Sequence, residues 1–194
     1  MKNIKFIIIF SAMLLFTGAC EDYLEQETFD ELTTANFYKK PADAVAGVYA
    51  AYGSLTRAIG SRYFVVVEYP GDGVTCRNPN SHRNGQLDIH DANSSNARVR
   101  DFYIRQYPTV LNANSVLDNI GLIPEMDENM RNMIIGEARF IRSLVYFNLV
   151  RIFQHVPLIT SSEIDLNELN TPKTNANEIY QFLVDELTQA ISEL

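Results

Sequence analysis

Between Asp127 and Phe153 apolar residues return every three or four positions without a break. Met130, Met133, Ile134, Ala138, Ile141, Val145, Leu149 and Ile152 form one continuous stripe, the spacing of a single helix face. At 1.5 Å per residue such a helix is roughly 40 Å long. A helix of that length holds its shape in water only by packing along most of it, so the rest of the chain has to supply partners of similar length.

Three further segments answer that demand. The spacing predicts a helix over 41–59, opened by Pro41 at its first position, with Val45, Val48, Tyr49, Tyr52, Leu55 and Ile59 on one face and Gly60 as its stop. A second covers 97–120, with Tyr103, Tyr107, Val110, Asn114 and Leu117 on its stripe, Gly121 as its stop, and a kink or split expected at Pro108. The last begins at Asn175, where Asn175 and Glu178 have capping-box spacing. It carries Ile179, Phe182, Leu183, Leu187, Ala190 and Leu194. It reaches Leu194 on its apolar side with no turn residue, so either the natural protein is expected to continue or the chain is a truncated gene product. Residues 154–174, with Pro157 and Pro172, read as a connector.

Residues 60–98 are different. Gly60, Pro70-Gly71, Gly73, Asn78-Pro79-Asn80, Asn84-Gly85 and Asn93-Ser94-Ser95-Asn96 are turn formers at loop density. One extended piece is expected at 63–68, where Phe64-Val65-Val66-Val67 favours a strand. The fold class is therefore all-α: paired helices over 41–194 with a loop-rich insert at 60–98. No 34-residue self-similarity is visible, so helix pairing rests on architecture alone.

The N-terminus carries an export signal. Lys2 and Lys5 precede the apolar run Phe6–Phe16, long enough for a signal peptide and too short to span a bilayer. Thr17-Gly18-Ala19-Cys20 then resembles a lipobox, departing from the usual pattern only at Thr17. The expected product loses residues 1–19, carries lipid on Cys20, and begins with an acidic tether over 20–40. Two acyl-type attachments on one cysteine are what stable anchoring needs. Cys76 is then left without an intramolecular partner and reads as an inert thiol, which excludes a disulfide staple or thiolate metal cage.

Charge narrows the partners. The chain has a formal charge of −8, with 16 basic and 24 acidic residues. Loss of Lys2 and Lys5 with the leader leaves 14 basic residues and a net of −10. Such a surface repels phosphate backbones and anionic lipid, so nucleic acid is excluded as a partner and membrane attachment falls to the lipid.

No catalytic pattern stands out, and no cofactor is expected. Glu68 and Asp72 read as solvated loop carboxylates. His82, His90 and His155 lack metal-ligand spacing, and there is no Gly-x-Ser-x-Gly, P-loop or His-Glu-x-x-His. Ligand capture would instead use aromatic platforms ringed by polar groups. The insert offers Tyr63, Tyr69, Asp72, Asn78, His82 and Asn84, with Arg77 and Arg83 nearby. Sugar rings stack their C–H faces on such tyrosines. The plainer role of either tyrosine is to pack the loop onto the helices. Glu137, Arg139 and Arg142 on the long helix read as structural ion-pairing groups, and Asn114 as a hydrogen-bonding group between helices.

Several segments carry a resemblance. The run from Gly136 to Arg151 (GEARFIRSLVYFNLVR) followed by Val156-Pro157-Leu158 resembles the signature helix of the SusD/RagB family. Gln154-His155 stands where that family often has glycine at the helix end. His155 tolerates left-handed geometry better than most residues, which would preserve the turn. Pro41-Ala42-Asp43-Ala44, the pattern Tyr103-x3-Tyr107-x2-Val110-x2-Ala113-Asn114, and Tyr180 to Ala190 are similar to further family segments in the same order. The resemblance runs from Cys20 to Leu194 and covers the N-terminal portion of a typical member. It implies tetratricopeptide-like helix pairs and a lipoprotein exposed at the outer membrane, with Glu21-Asp22 similar to a surface-export signal. It also implies a lid over a SusC-type TonB-dependent transporter that captures oligosaccharides without chemistry. The RagB branch captures peptides instead, and a lid with little ligand affinity is the further alternative.

Overall fold

The computed structural model describes residues 37–78, 80, 83–163 and 170–194. Cys20 and His82 lie outside them. The elements in chain order are α1 (Pro41–Ala58), α2 (Ser61–Glu68), α3 (Gly85–Asp88), α4 (Ala97–Asn119), a 3-10 turn (Ile120–Leu122), α5 (Glu128–Phe153) and α6 (Ala176–Glu193). Among the described residues there is no strand, only an isolated antiparallel bridge between Val156 and Thr174. The chain is all-α, and α1 with α4, α4 with α5, and α5 with α6 are its main packed pairs.

Each long helix starts where a side chain can satisfy its free N–H groups. The Asp43 carboxylate reaches back to the backbone N–H of Lys39 and Lys40 at 3.1 and 2.9 Å. Asn96 accepts from Arg98 and Val99, and Asp127 accepts from Met130. Asn175 accepts from Asn177, so α6 is capped through Asn177 and no return bond from Glu178 is needed. Helix α4 passes through Pro108 undivided. Packing on both α1 and α5 holds it together there.

The stripe of α5 is the centre of the core: Ile134, Ala138, Ile141, Val145 and Leu149 are buried together with Val110, Val116, Ile179 and Leu183. Helix α1 is rotated from the expected face. Val48 and Leu55 are buried, but Tyr49 is 67% and Ile59 41% exposed, and the remaining contact is made by Ala44, Gly47, Ala51 and Ala58. Small residues let α1 approach α4 closely. A Cβ on Gly47 would lie 2.8 Å from the Tyr38 hydroxyl and 3.1 Å from Val116.

The strand expected at 63–68 is instead helix α2. A lone strand there has no neighbour for its backbone, whereas a helix satisfies its own N–H and C=O groups. Helical winding also buries Val66 and brings Tyr63 onto Phe102 of α4, with ring centroids 6.1 Å apart. Tertiary contact overrides the β-branched preference of the run.

The left-handed residue after α5 is Gln154, not His155. Gln154 has φ 62° and ψ −63°, and the His155 N–H donates to the Phe153 carbonyl at 2.7 Å. This is a γ-turn of the strained hand. The Gln154 side chain is exposed, so Gln154→Gly should relieve strain without removing a buried contact. A gain of about 1 kcal/mol is expected. It would appear as a rise in Tm of about 2–4 °C, and an unchanged or lower Tm would count against strain at this residue.

One face remains apolar and open. On α5, Met133, Phe140 and Phe147 recur at seven-residue steps and are exposed. On α6, Tyr180, Val184, Leu187, Ile191 and Leu194 do the same at three- and four-residue steps. At about 100° per residue each set forms one stripe. The close approach of Leu194 to Gly136 places the two stripes side by side along the antiparallel pair.

Candidate ligand-binding site

A buried polar lock joins α5 to its neighbours. Arg142 donates through Nε and Nη2 to Glu186 of α6, through Nη1 to the Asn114 side-chain oxygen of α4 at 2.7 Å, and to the Thr160 carbonyl at 3.3 Å. Arg139 pairs with Glu186 at 2.6 Å and Glu193 at 3.1 Å. Arg142 is 5% and Glu186 6% exposed. Two arginines and two glutamates balance in charge, which is what lets them be buried. Asn114 passes its own amide protons to the carbonyls of Ile159 and Ser161, both at 3.0 Å. Arg139, Arg142 and Asn114 therefore hold helices and the connector together, in agreement with the structural reading of the sequence.

The connector is fastened further by Tyr146. Its hydroxyl accepts from the Ile159 N–H at 2.7 Å and donates to the Ile159 carbonyl at 3.1 Å. Burial pushes the Tyr146 phenol up to about 12 from its ordinary 10, against the opposing pull of the Ile159 bond and Arg142. The folded state holds this proton more tightly than the unfolded chain. Its stabilisation is thus complete below pH 10 and is lost as pH rises towards 12. Tyr146→Phe should flatten the decline of unfolding free energy across that window, and an unaltered decline would assign it to other groups.

Five of the six candidate residues of the insert, all but His82, lie among the described residues. Tyr63 lies on α2, half-buried against Phe102. Tyr69 follows α2 and is partly buried, while Asp72 is exposed. Asn78 is exposed, with its side-chain oxygen accepting from the Asn80 N–H and its carbonyl from the Cys76 thiol, each at 3.2 Å. Asn84 is drawn inward, its Oδ1 accepting from Arg98 Nε at 2.9 Å. Asn96 reinforces this latch by donating to the Arg83 carbonyl and the Gln86 side chain. Part of the loop's polarity thus secures it to the start of α4.

A cleft lies between the first turns of α4 and the end of α5. It has a volume of about 290 Å³ and is lined by Ser94, Val99, Arg100, Tyr103, Phe153, His155 and Lys173. None of the five described loop candidates is among these lining residues. Its floor is aromatic: Tyr103 and Phe153 meet edge to face with centroids 5.1 Å apart, and Phe102 stacks behind Phe153 at 6.0 Å. The Tyr103 and Tyr107 hydroxyls are 3.3 Å apart, and Tyr107 donates to the Pro157 carbonyl at 3.2 Å. Tyr107 has one proton to give, so Tyr103 is the donor between them. Burial first, then the Tyr103 bond, raises the Tyr107 phenol far above its ordinary range, which keeps this relay protonated. The sequence signal for the cleft is present but dispersed: Tyr103 reads as a stripe and motif residue, and His155 as a turn residue without metal-ligand spacing.

Among the described residues no group of His, Cys, Asp or Glu could hold a metal ion, and no helix is long and apolar enough to cross a membrane. Residues 22–194 match the SusD-like family described as starch-binding and associating with the outer membrane. The chain belongs to that family.

Among its relatives, SusD-like protein P2 of Formosa agariphila is 29% identical over 190 residues, 96% of this chain and 37% of that protein. A SusD-like protein of Bacteroides ovatus is 23% identical over 192 residues, 98% of this chain and 35% of that one. The chain thus spans little more than a third of the length of these relatives. In three dimensions it is similar to a SusD superfamily protein of Bacteroides vulgatus, with a TM-score of 0.73 at 21% identity over 81% of this chain and 35% of that one. It is also similar to a laminarin-binding SusD-like protein, with a TM-score of 0.70 at 24% identity and the same coverages. These likenesses are of fold.

Proposed function

We propose that this chain captures oligosaccharides at the outer membrane and passes them, without cleaving a bond, to a SusC-type TonB-dependent transporter. The family match over residues 22–194 carries the reading. The laminarin-binding relative supports a glycan as the ligand. The aromatic floor of the cleft is the kind of surface on which a sugar's C–H face packs, and Tyr69, Asp72 and Asn78 offer further groups in the insert. Calorimetric titration against starch- and laminarin-derived oligosaccharides, with a mixture of short peptides beside them, tests it. Saturable binding of an oligosaccharide is the expected result. Binding of peptides alone would replace it with RagB-like capture, and binding of neither would leave the role of a transporter lid.

The reading includes an anchor at Cys20. Cys20→Ala should move the protein from the membrane to the soluble fraction on cell fractionation, because no other strong attachment is expected of an acidic surface. Retention of the variant in the membrane pellet would rule out lipid as the sole attachment.

A further inference from the structure

We propose that the cleft between α4 and the end of α5 is a subsite for an acidic sugar residue, its cations taking a carboxylate or sulfate while its rings take the sugar face. The proposal rests on the capture reading and names the ligand chemistry within it.

The first observation is charge. The chain as a whole is strongly acidic, yet Arg100, His155 and Lys173 all face this one cleft. Arg100 meets one carboxylate among the described residues, Asp101 at a long 3.8 Å, and Asp101 is shared with Arg62 at 3.7 Å. His155 and Lys173 have no ion pair among the described residues. Two weakly neutralised cations, Arg100 and Lys173, with the His155 imidazole beside them, focus potential at this small concavity. The rim is also held in place. His155 and Lys173 immediately precede Val156 and Thr174, whose backbones form the antiparallel bridge, with the Thr174 N–H donating to the Val156 carbonyl at 2.9 Å. The two side chains are thus carried by segments tied to each other.

The second observation is the floor. Tyr103 and Phe153 present two rings fixed at right angles, and apolar C–H groups of a sugar can pack into that corner. Tyr103 spends its proton on Tyr107, so its oxygen is left as an acceptor for a sugar hydroxyl. The Ser94 hydroxyl adds a donor and an acceptor. At about 290 Å³ the cleft sits at the lower end of small-molecule sites, which run from about 300 Å³ upward. That size suits one residue or a chain end. A platform, a hydroxyl acceptor and two cations together fit an acidic sugar better than a neutral one, which would leave both cations unused.

The test is isothermal titration of the full chain with four probes: a galacturonic acid oligosaccharide, a sulfated galactan oligosaccharide, a laminarin oligosaccharide and a short polyglutamate peptide. Lys173→Glu and Arg100→Ala are the variants. Both side chains are exposed, and matching circular dichroism spectra establish that the variants fold. The expected result is that one or both acidic oligosaccharides bind more tightly than laminarin, with affinity falling as salt is added. Each variant should lower the acidic-to-neutral affinity ratio about tenfold, the scale of one lost hydrogen bond to a charged group. Which acidic probe binds decides between carboxylate and sulfate. Laminarin binding without acidic binding would overturn the subsite and leave capture standing. Peptide binding with no glycan binding would overturn both. Acidic binding untouched by either variant would place the site elsewhere, and polyglutamate binding equal to galacturonate would show charge recognition without a sugar. Each of these last two overturns the proposal.

Discussion

Glu186→Ala is expected to destabilise the protein by about 3–5 kcal/mol, a large part of the 5–15 kcal/mol typical of a folded domain. Glu186 is the shared acceptor for Arg139 and Arg142. Arg142 is nearly fully buried between three elements, and without Glu186 its charge keeps only the neutral oxygens of Asn114 and Thr160. The Phe182 ring, 5.4 Å from the guanidinium carbon, offsets little of that loss. Urea denaturation monitored by circular dichroism gives the number. Arg142→Met combined with Glu186→Leu should recover most of the loss, because a buried ion pair exchanged for apolar groups is often neutral. A Glu186→Ala loss below about 1 kcal/mol, the range of an exposed pair, would mean that water or Glu193 replaces the missing carboxylate.

Phe102→Ala is the second large effect, expected at about 3–5 kcal/mol. Phe102 has no exposed surface and joins three elements. Its ring meets Tyr63 of α2 and Phe153 of α5, so its loss opens a cavity that neither neighbour can fill alone. The same change removes the backing of the cleft floor. The loss of stability should therefore come with faster hydrogen exchange in α2 and weaker ligand binding at temperatures where the variant is still folded. A loss of stability with exchange in α2 unchanged would show that α2 is held by other contacts.

How the sequence maps onto this structure depends on the range of each interaction. Helix α5 was legible to within a residue or two because its stripe is unbroken and Asp127 caps it locally. The lock was legible in kind: arginines and an asparagine on apolar helices need partners, but Glu186 lies 44 positions from Arg142 and nothing local announces it. Helix α2 was misread because Phe64-Val65-Val66-Val67 has strand propensity and the deciding neighbour, Phe102, is supplied by α4. The rotation of α1 has a similar cause. Tyr49 and Ile59 look like core residues until close packing selects alanines and a glycine. The signal for the cleft is dispersed for a geometric reason, since its lining is gathered from Ser94 to Lys173 and meets only after α4 and α5 pair. The loop candidates were chosen for polarity, and Asn84 shows that polarity at work inside the protein, as a latch on Arg98.

The open face formed by Phe140 and Phe147 of α5 with Val184, Leu187 and Ile191 of α6 has a thermal consequence. Apolar surface already in contact with water in the folded state adds nothing to the heat capacity increment of unfolding. The chain should therefore show an increment below the usual 12–15 cal/mol/K per residue, roughly in proportion to the area left uncovered. Its stability curve would be correspondingly shallow, with resistance to cold gained alongside a low maximum. Covering that face would steepen the curve, so calorimetry would report its occupancy even where no structure of the assembly exists.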